Sequence, residues 1–182
     1  MSPSLHPGSF AVVLVSGSIA ASNSAGLVSV LRERLGQPVV AVLTARARDF
    51  VAIETIRYAG GAAAVVTDGA VPLFDQPDHI WLATHMSGLL VYPASANFIA
   101  RIGTALAADT ASLVFLAGHL KRRMIVPSMN RLMWSNPMLQ GHIVCLQDHG
   151  VRVASTPDGM APDVNSVVDE FCNFIGASDE TA

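Results

Sequence analysis

Short apolar runs alternate along this chain with longer stretches whose apolar residues fall three and four positions apart. Runs of strand length occupy Phe10 to Val15, Val39 to Leu43, Ala62 to Val66, Gly88 to Tyr92, Ser112 to Ala117 and Met124 to Val126, with a weaker one at Val151 to Ala154. Continuous apolar character over so few residues predicts strands buried on both faces. Helical spacing runs through Ser24 to Leu35, Arg48 to Tyr58, Asn97 to Ala107, Pro137 to Gln147 and Val164 to Ile175. This alternation predicts an α/β fold, a three-layer doubly wound parallel sheet, with ligands bound by the loops that follow the strands. The pattern covers one domain, and the segments 1–9 and 177–182, which lack periodicity, are expected to be disordered tails.

Composition sharpens the picture. Of 182 residues, 51% are hydrophobic and 14% charged, a surplus of apolar side chains that two-sided strands and contacts between identical subunits would hide. A homo-oligomer is therefore expected. The net charge is −3, and the Lys and Arg residues are scattered apart from Lys121, Arg122 and Arg123, which argues against a nucleic-acid partner. No run reaches the roughly 20 apolar residues of a membrane span. The run from Phe10 has no Lys or Arg before it and is too short for a secretory signal, so a cytoplasmic protein is expected. Cys145 and Cys172 fit no CxxC spacing and fall in helical stretches, which suits a reduced compartment, and no metal site is indicated.

The loops carry the chemistry. The first strand ends in Val15-Ser16-Gly17-Ser18-Ile19, a small, hydroxyl-rich turn into a helix that can offer amides and hydroxyls to a phosphate or serve simply as a capped turn. The second ends in Thr44-Ala45-Arg46, and two such loops on neighbouring strands would converge on one anion. In Asp75-Gln76-Pro77-Asp78-His79, Pro77 disfavours helix just before it, Asp78 is a fair N-cap, and His79 would stand in the first helical turn. A histidine there can act as a general base near neutral pH, or merely face solvent. Two loops pair proline with small residues and asparagine: Pro93-Ala94-Ser95-Ala96-Asn97, and Pro127-Ser128-Met129-Asn130-Arg131-Leu132-Met133-Trp134. Taken alone, Met129, Met133 and Trp134 would be core residues at helical spacing.

In order and spacing these segments resemble the homo-oligomeric flavin-containing cysteine decarboxylases, which share a PASAN motif, a PxMNxxMW motif and an upstream histidine. Here the motifs are Pro93 to Asn97 and Pro127 to Trp134, with His79 upstream, and every fixed position of PxMNxxMW is filled. The resemblance, which extends over roughly residues 10 to 155, implies a flavodoxin- or Rossmann-like flavoprotein. The stretch Met133-Trp134-Ser135-Asn136-Pro137 and the spacing from His79 to Pro93 are most similar to the branch acting on lantibiotic and related ribosomally made precursor peptides. By that likeness His79 would be the base, Asn130 would hold the substrate carboxylate, and Met133 would also contact substrate. Pro93, Ser95, Ala96, Asn97 and Met129 would frame the flavin ring, and Gly17, Ser18 and Thr44 would cradle its phosphate. The likeness also implies FMN or, in some members, FAD; trimers, often built into dodecamers, with the flavin near a subunit contact; and a precursor peptide ending in cysteine, together with its other modifying enzymes.

The chemistry has its own logic. Loss of carbon dioxide from a cysteine carboxylate leaves an electron pair on Cα, and an unmodified cysteine has no sink for it. Oxidation of the CH–SH group to a thioaldehyde supplies that sink, and decarboxylation then yields an enethiolate, the precursor of S-(2-aminovinyl)cysteine. The sequence departs from the family at two places. Ala105 stands where glycine is usual, with Asp109 one place late, and the segment after Val151 to Ala154 is too short for a full substrate-covering flap. No cysteine occurs between Val151 and Phe171, where phosphopantothenoylcysteine decarboxylases of coenzyme A synthesis carry one that protonates the enethiol. The absence favours peptide modification over that enzyme, while the PxMNxxMW motif with His79 argues against a flavin prenyltransferase, and intact His79 and Asn130 argue against a non-catalytic regulatory subunit.

Overall fold

In a computed structural model, described over residues 5–154, 156 and 158–176, six parallel strands form one sheet. They are β1 (Ala11–Val15), β2 (Val39–Leu43), β3 (Ala64–Thr67), β4 (Gly88–Ala94), β5 (Arg123–Pro127) and β6 (Val151–Val153), in the order β3-β2-β1-β4-β5-β6. This is the doubly wound order, with the chain reversing its direction of travel between β1 and β4. In register, Val13 lies beside Ala41 of β2 and Leu90 of β4, so the centre of the sheet is apolar on both faces. Side chains alternate. Val12 and Leu14 enter a core with α2 (Asp78–His85), α3 (Ala96–Gly103), α4 (Thr110–Ala117) and α6 (Pro137–Asp148). Ala11, Val13 and Val15 enter the opposite core with α1 (Ser24–Leu35) and α7 (Val164–Gly176). Burying each such Val or Leu contributes about 1.5–3 kcal/mol, so both layers are held by the strands between them. A four-residue helix, α5 (Arg131–Trp134), follows β5. Among the described residues no helix is long and apolar enough to cross a membrane.

Several elements differ from the sequence pattern. Ser112 to Ala117, expected as a strand, is the body of α4. Asp109 caps it through a capping box, its carboxylate accepting from the Ser112 amide while the Ser112 hydroxyl bonds back to the cap. The helix is apolar on most sides because it is wedged between core and neighbours, and periodicity cannot separate that from a buried strand. The helix expected from Arg48 to Tyr58 is instead a 3-10 turn, Ala45–Asp49, and one π-helical turn, Thr55–Ala59. Pro77, not Asp78, is the N-cap of α2; Asp78 sits in the first turn and accepts from the Leu73 amide. Within the tail expected at 1–9, Gly8 donates to the His85 carbonyl and Leu5 packs on the core. Residues 1–4 and 177–182 lie outside the described residues.

Ala105 has φ of 56°, the one non-glycine in the left-handed region among the described residues. A glycine suits this position because of its backbone, which closes the turn between α3 and α4. Replacing Ala105 with Gly is expected to stabilise the fold by about 0.5–1 kcal/mol, read as a raised thermal midpoint, because it removes the Cβ strain of that conformation at some entropic cost. An unchanged or lowered midpoint would count against this explanation.

Of the short cationic run, Arg123 is buried. Its guanidinium lies over the Phe115 ring and donates to the carbonyls of Phe115 and His149, at the ends of α4 and α6. Burial lowers its pKa, yet an arginine stays charged, and the run is thereby no surface patch.

Candidate active site at the switch point

The carboxyl ends of β1, β2, β4 and β5 open on one cavity of about 800 Å³. It lies at the point where the chain reverses, the place a doubly wound sheet offers a ligand. Hydrogen bonds between strand ends fix its floor. Ser16 Oγ lies 2.8 Å from the Pro93 carbonyl and 3.1 Å from Ser95 Oγ, and accepts from the Ser95 amide at 2.8 Å. Ser18 Oγ lies 2.7 Å from Ser128 Oγ, joining the loop after β1 to the loop after β5.

Three uncharged residues of the wall cap helices through their side chains. Thr44 accepts from the Ala47 amide, Ser95 from the Phe98 amide, and Asn130 Oδ1 from the Met133 amide at 2.9 Å. Capping uses an acceptor and leaves donor hydrogens for other bonds. For Asn130 it also fixes the amide orientation: with Oδ1 turned to the helix, Nδ2 is the group available to a ligand. A cap that is also a donor into a cavity serves both the fold and the site.

The charged residues on the wall are Arg46, Arg101 and Asp109. Arg101 and Asp109 form an ion pair, mostly buried, and Asp109 also accepts from the Ser112 amide and hydroxyl. Behind the cavity, Tyr92 is buried in the core beneath α1; burial pushes its phenol up, a hydrogen bond from Asn23 partly offsets this, and it stays neutral. Among the described residues no group of three or more His, Cys, Asp or Glu could hold a metal.

The short segment before α7 closes one side. The Met129 amide donates to the Gly159 carbonyl at 2.9 Å. Gly159 has φ of +81°, and a Cβ there would come within 2.6 Å of Trp134, so any side chain would push this segment off α5. Met160 thereby reaches the cavity.

Gly17, Ser18, Thr44, Ser95, Ala96, Asn97, Met129, Asn130 and Met133 all line this one cavity. Pro93 stands behind it in β4, where its carbonyl accepts from Ser16. His79 is in the first turn of α2, half-buried, and is not among the lining residues of its own chain. The sequence reading missed Ser128, Arg101, Asp109 and Met160. Ser128 could have been found as a hydroxyl directly after a strand; the other three reach the site only through the fold.

Comparison with known proteins agrees with this geometry. The Flavoprotein family model matches residues 3–176. A probable phosphopantothenoylcysteine decarboxylase of Streptococcus mutans is 32% identical over 145 residues, 78% of this chain and 79% of that protein. The epidermin decarboxylase of Staphylococcus epidermidis is 38% identical over 88 residues, 48% of this chain and 45% of its own. The coenzyme A biosynthesis bifunctional protein CoaBC of Haemophilus influenzae is 31% identical over 154 residues, 84% of this chain, which spans only 38% of that longer protein. Among solved structures, the FMN-dependent cysteine decarboxylase SpaF is 26% identical with a TM-score of 0.77, covering 97% of this chain and all of that one. The peptidyl-cysteine decarboxylase EpiD is 25% identical with a TM-score of 0.78, covering 91% of this chain and 97% of that one. The match over nearly the whole chain shows that it belongs to the Flavoprotein family and, within it, to the flavin-dependent cysteine decarboxylases.

Proposed function

We propose that this protein binds FMN in the switch-point cavity and oxidatively decarboxylates the C-terminal cysteine of a ribosomally made precursor peptide, giving the enethiol used for S-(2-aminovinyl)cysteine. The observation that carries the reading is the complete PxMNxxMW sequence, whose Met129, Asn130 and Met133 line the cavity, with Asn130 Oδ1 held by the Met133 amide so that Nδ2 is left to donate. The cavity suits a flavin in its donor set. Hydroxyls of Ser18 and Ser128 and the cation of Arg46 suit a phosphate, while Phe98, Met129 and Met133 offer apolar surface to a flat ring system.

Bound FMN would supply the two-electron oxidation of the cysteine CH–SH group. Asn130 Nδ2 holds the substrate carboxylate and so orients the bond to be broken. His79 accepts the proton released on oxidation. Met129, Met133 and Met160 exclude water around the reacting carbon. Because His79 lies outside its own chain's cavity, its role requires a second copy, as in a trimer or dodecamer. Ile19, which lines the cavity, and Leu132 and Met138 are exposed and supply apolar surface for such a contact.

A second reading, decarboxylation of phosphopantothenoylcysteine, is favoured by the similarity to the Streptococcus mutans protein. It is opposed by the lack of a cysteine between Val151 and Phe171. Side-by-side carbon dioxide release from the two substrates separates them. The peptide is expected to turn over at least about tenfold faster, a difference one well-placed set of contacts can supply; the reverse preference would replace this reading with the second.

A further inference from the structure

The two cations of the cavity differ in what already holds them. Arg101 is bound to Asp109, whose carboxylate is fixed in turn by the cap of α4, and both side chains are largely buried. Arg46 lines the same cavity from the 3-10 turn after β2. Its stem lies flat on Gly17: a Cβ built on that glycine would come within 2.3 Å of Arg46 Cγ and 2.8 Å of its Cβ. Glycine at 17 is thus what lets the arginine stem rest on the loop carrying Ser18, whose hydroxyl meets that of Ser128. The guanidinium pairs with Asp49 three residues on, but the two side chains are 77% and 52% exposed, and an ion pair so open to water is easily exchanged.

We propose that Arg46 is the phosphate-selecting residue of this cavity, exchanging Asp49 for the phosphate dianion of FMN and so discriminating FMN from riboflavin. The assignment rests on the cavity being the flavin site. A phosphate dianion carries more charge than one carboxylate and matches the planar guanidinium fork, so it displaces Asp49. Ser18 and Ser128 are neutral and orient the phosphate without supplying charge. Arg101, held by Asp109, is not available for this. Asp49 then acts as a holding partner and weak competitor.

The test compares flavin affinities of the stripped protein by quenching of flavin fluorescence, using FMN and riboflavin at low and high salt. Arg46→Gln is expected to weaken FMN binding about 10- to 100-fold and to flatten its salt dependence, with riboflavin affinity unchanged within about twofold. Arg46→Lys recovers part of the loss, and Asp49→Asn binds FMN as tightly as wild type or tighter. Undiminished FMN affinity in Arg46→Gln, or an equal loss for both flavins, overturns the assignment. Wild-type protein that binds neither flavin removes the flavin reading itself, and this assignment with it.

Discussion

Replacing Asn130 with Asp is expected to leave the protein folded and flavin-loaded while slowing carbon dioxide release about 10²- to 10³-fold, the cost of removing one well-placed donor from a reacting charge. The two functions of Asn130 come apart in this variant. Its Oδ1 caps α5 by accepting from the Met133 amide, and an aspartate caps equally well. The Nδ2 donor, however, becomes a second acceptor carrying negative charge, placed against the substrate carboxylate. Asn130→Ala should lose the same rate and about 1 kcal/mol of stability besides, because the cap goes too. Single-turnover rates and thermal midpoints measured together decide the matter: a rate loss in the aspartate variant that tracks a fall in midpoint would mean Asn130 is only a cap.

His79→Asn should abolish turnover by about 10²- to 10⁴-fold, the usual contribution of a general base, with FMN retained. The geometry adds a stronger expectation. His79 does not line its own chain's cavity, so on the proposed mechanism each site would combine Asn130 of one chain with the histidine of another. Inactive His79→Asn and inactive Asn130→Asp chains, unfolded and reassembled together, should then recover about a quarter of wild-type activity, the fraction of random contacts that bring two intact residues together. Mixed assemblies that show no recovery would remove His79 from a shared site.

The sheet was legible because a parallel strand buried on both faces leaves an unbroken apolar run, and the loops after β1, β2, β4 and β5 were legible because Gly, Ser, Thr, Pro and Asn mark strand ends. Ser112 to Ala117 misled for the same reason, since a helix buried on most sides is as apolar as a strand and only the Asp109–Ser112 capping box distinguishes it. The contacts that set the cavity's electrostatics were not legible. The loops of Gly17 and Arg46 were expected to converge, but the seating of the arginine stem on Gly17, the Arg101–Asp109 pair and the placing of Met160 on the same wall as Met129 exist only after the chain has folded. The glycine preference at position 105 was visible in the family pattern, but its cause, a left-handed turn, required backbone angles. His79 is the opposite case: the sequence singles it out, and the single chain places it away from the cavity.

Oxidative decarboxylation by this protein is read from the mass of a short peptide ending in a free cysteine, before and after incubation with the flavin-loaded protein. Peptide carrying the C-terminal cysteine is expected to lose about 46 Da, carbon dioxide plus two hydrogens, and its serine counterpart nothing. A loss of about 44 Da would mean that the enethiol is reduced again, and an unchanged mass with flavin bound would contradict oxidative decarboxylation of peptidyl cysteine by this protein.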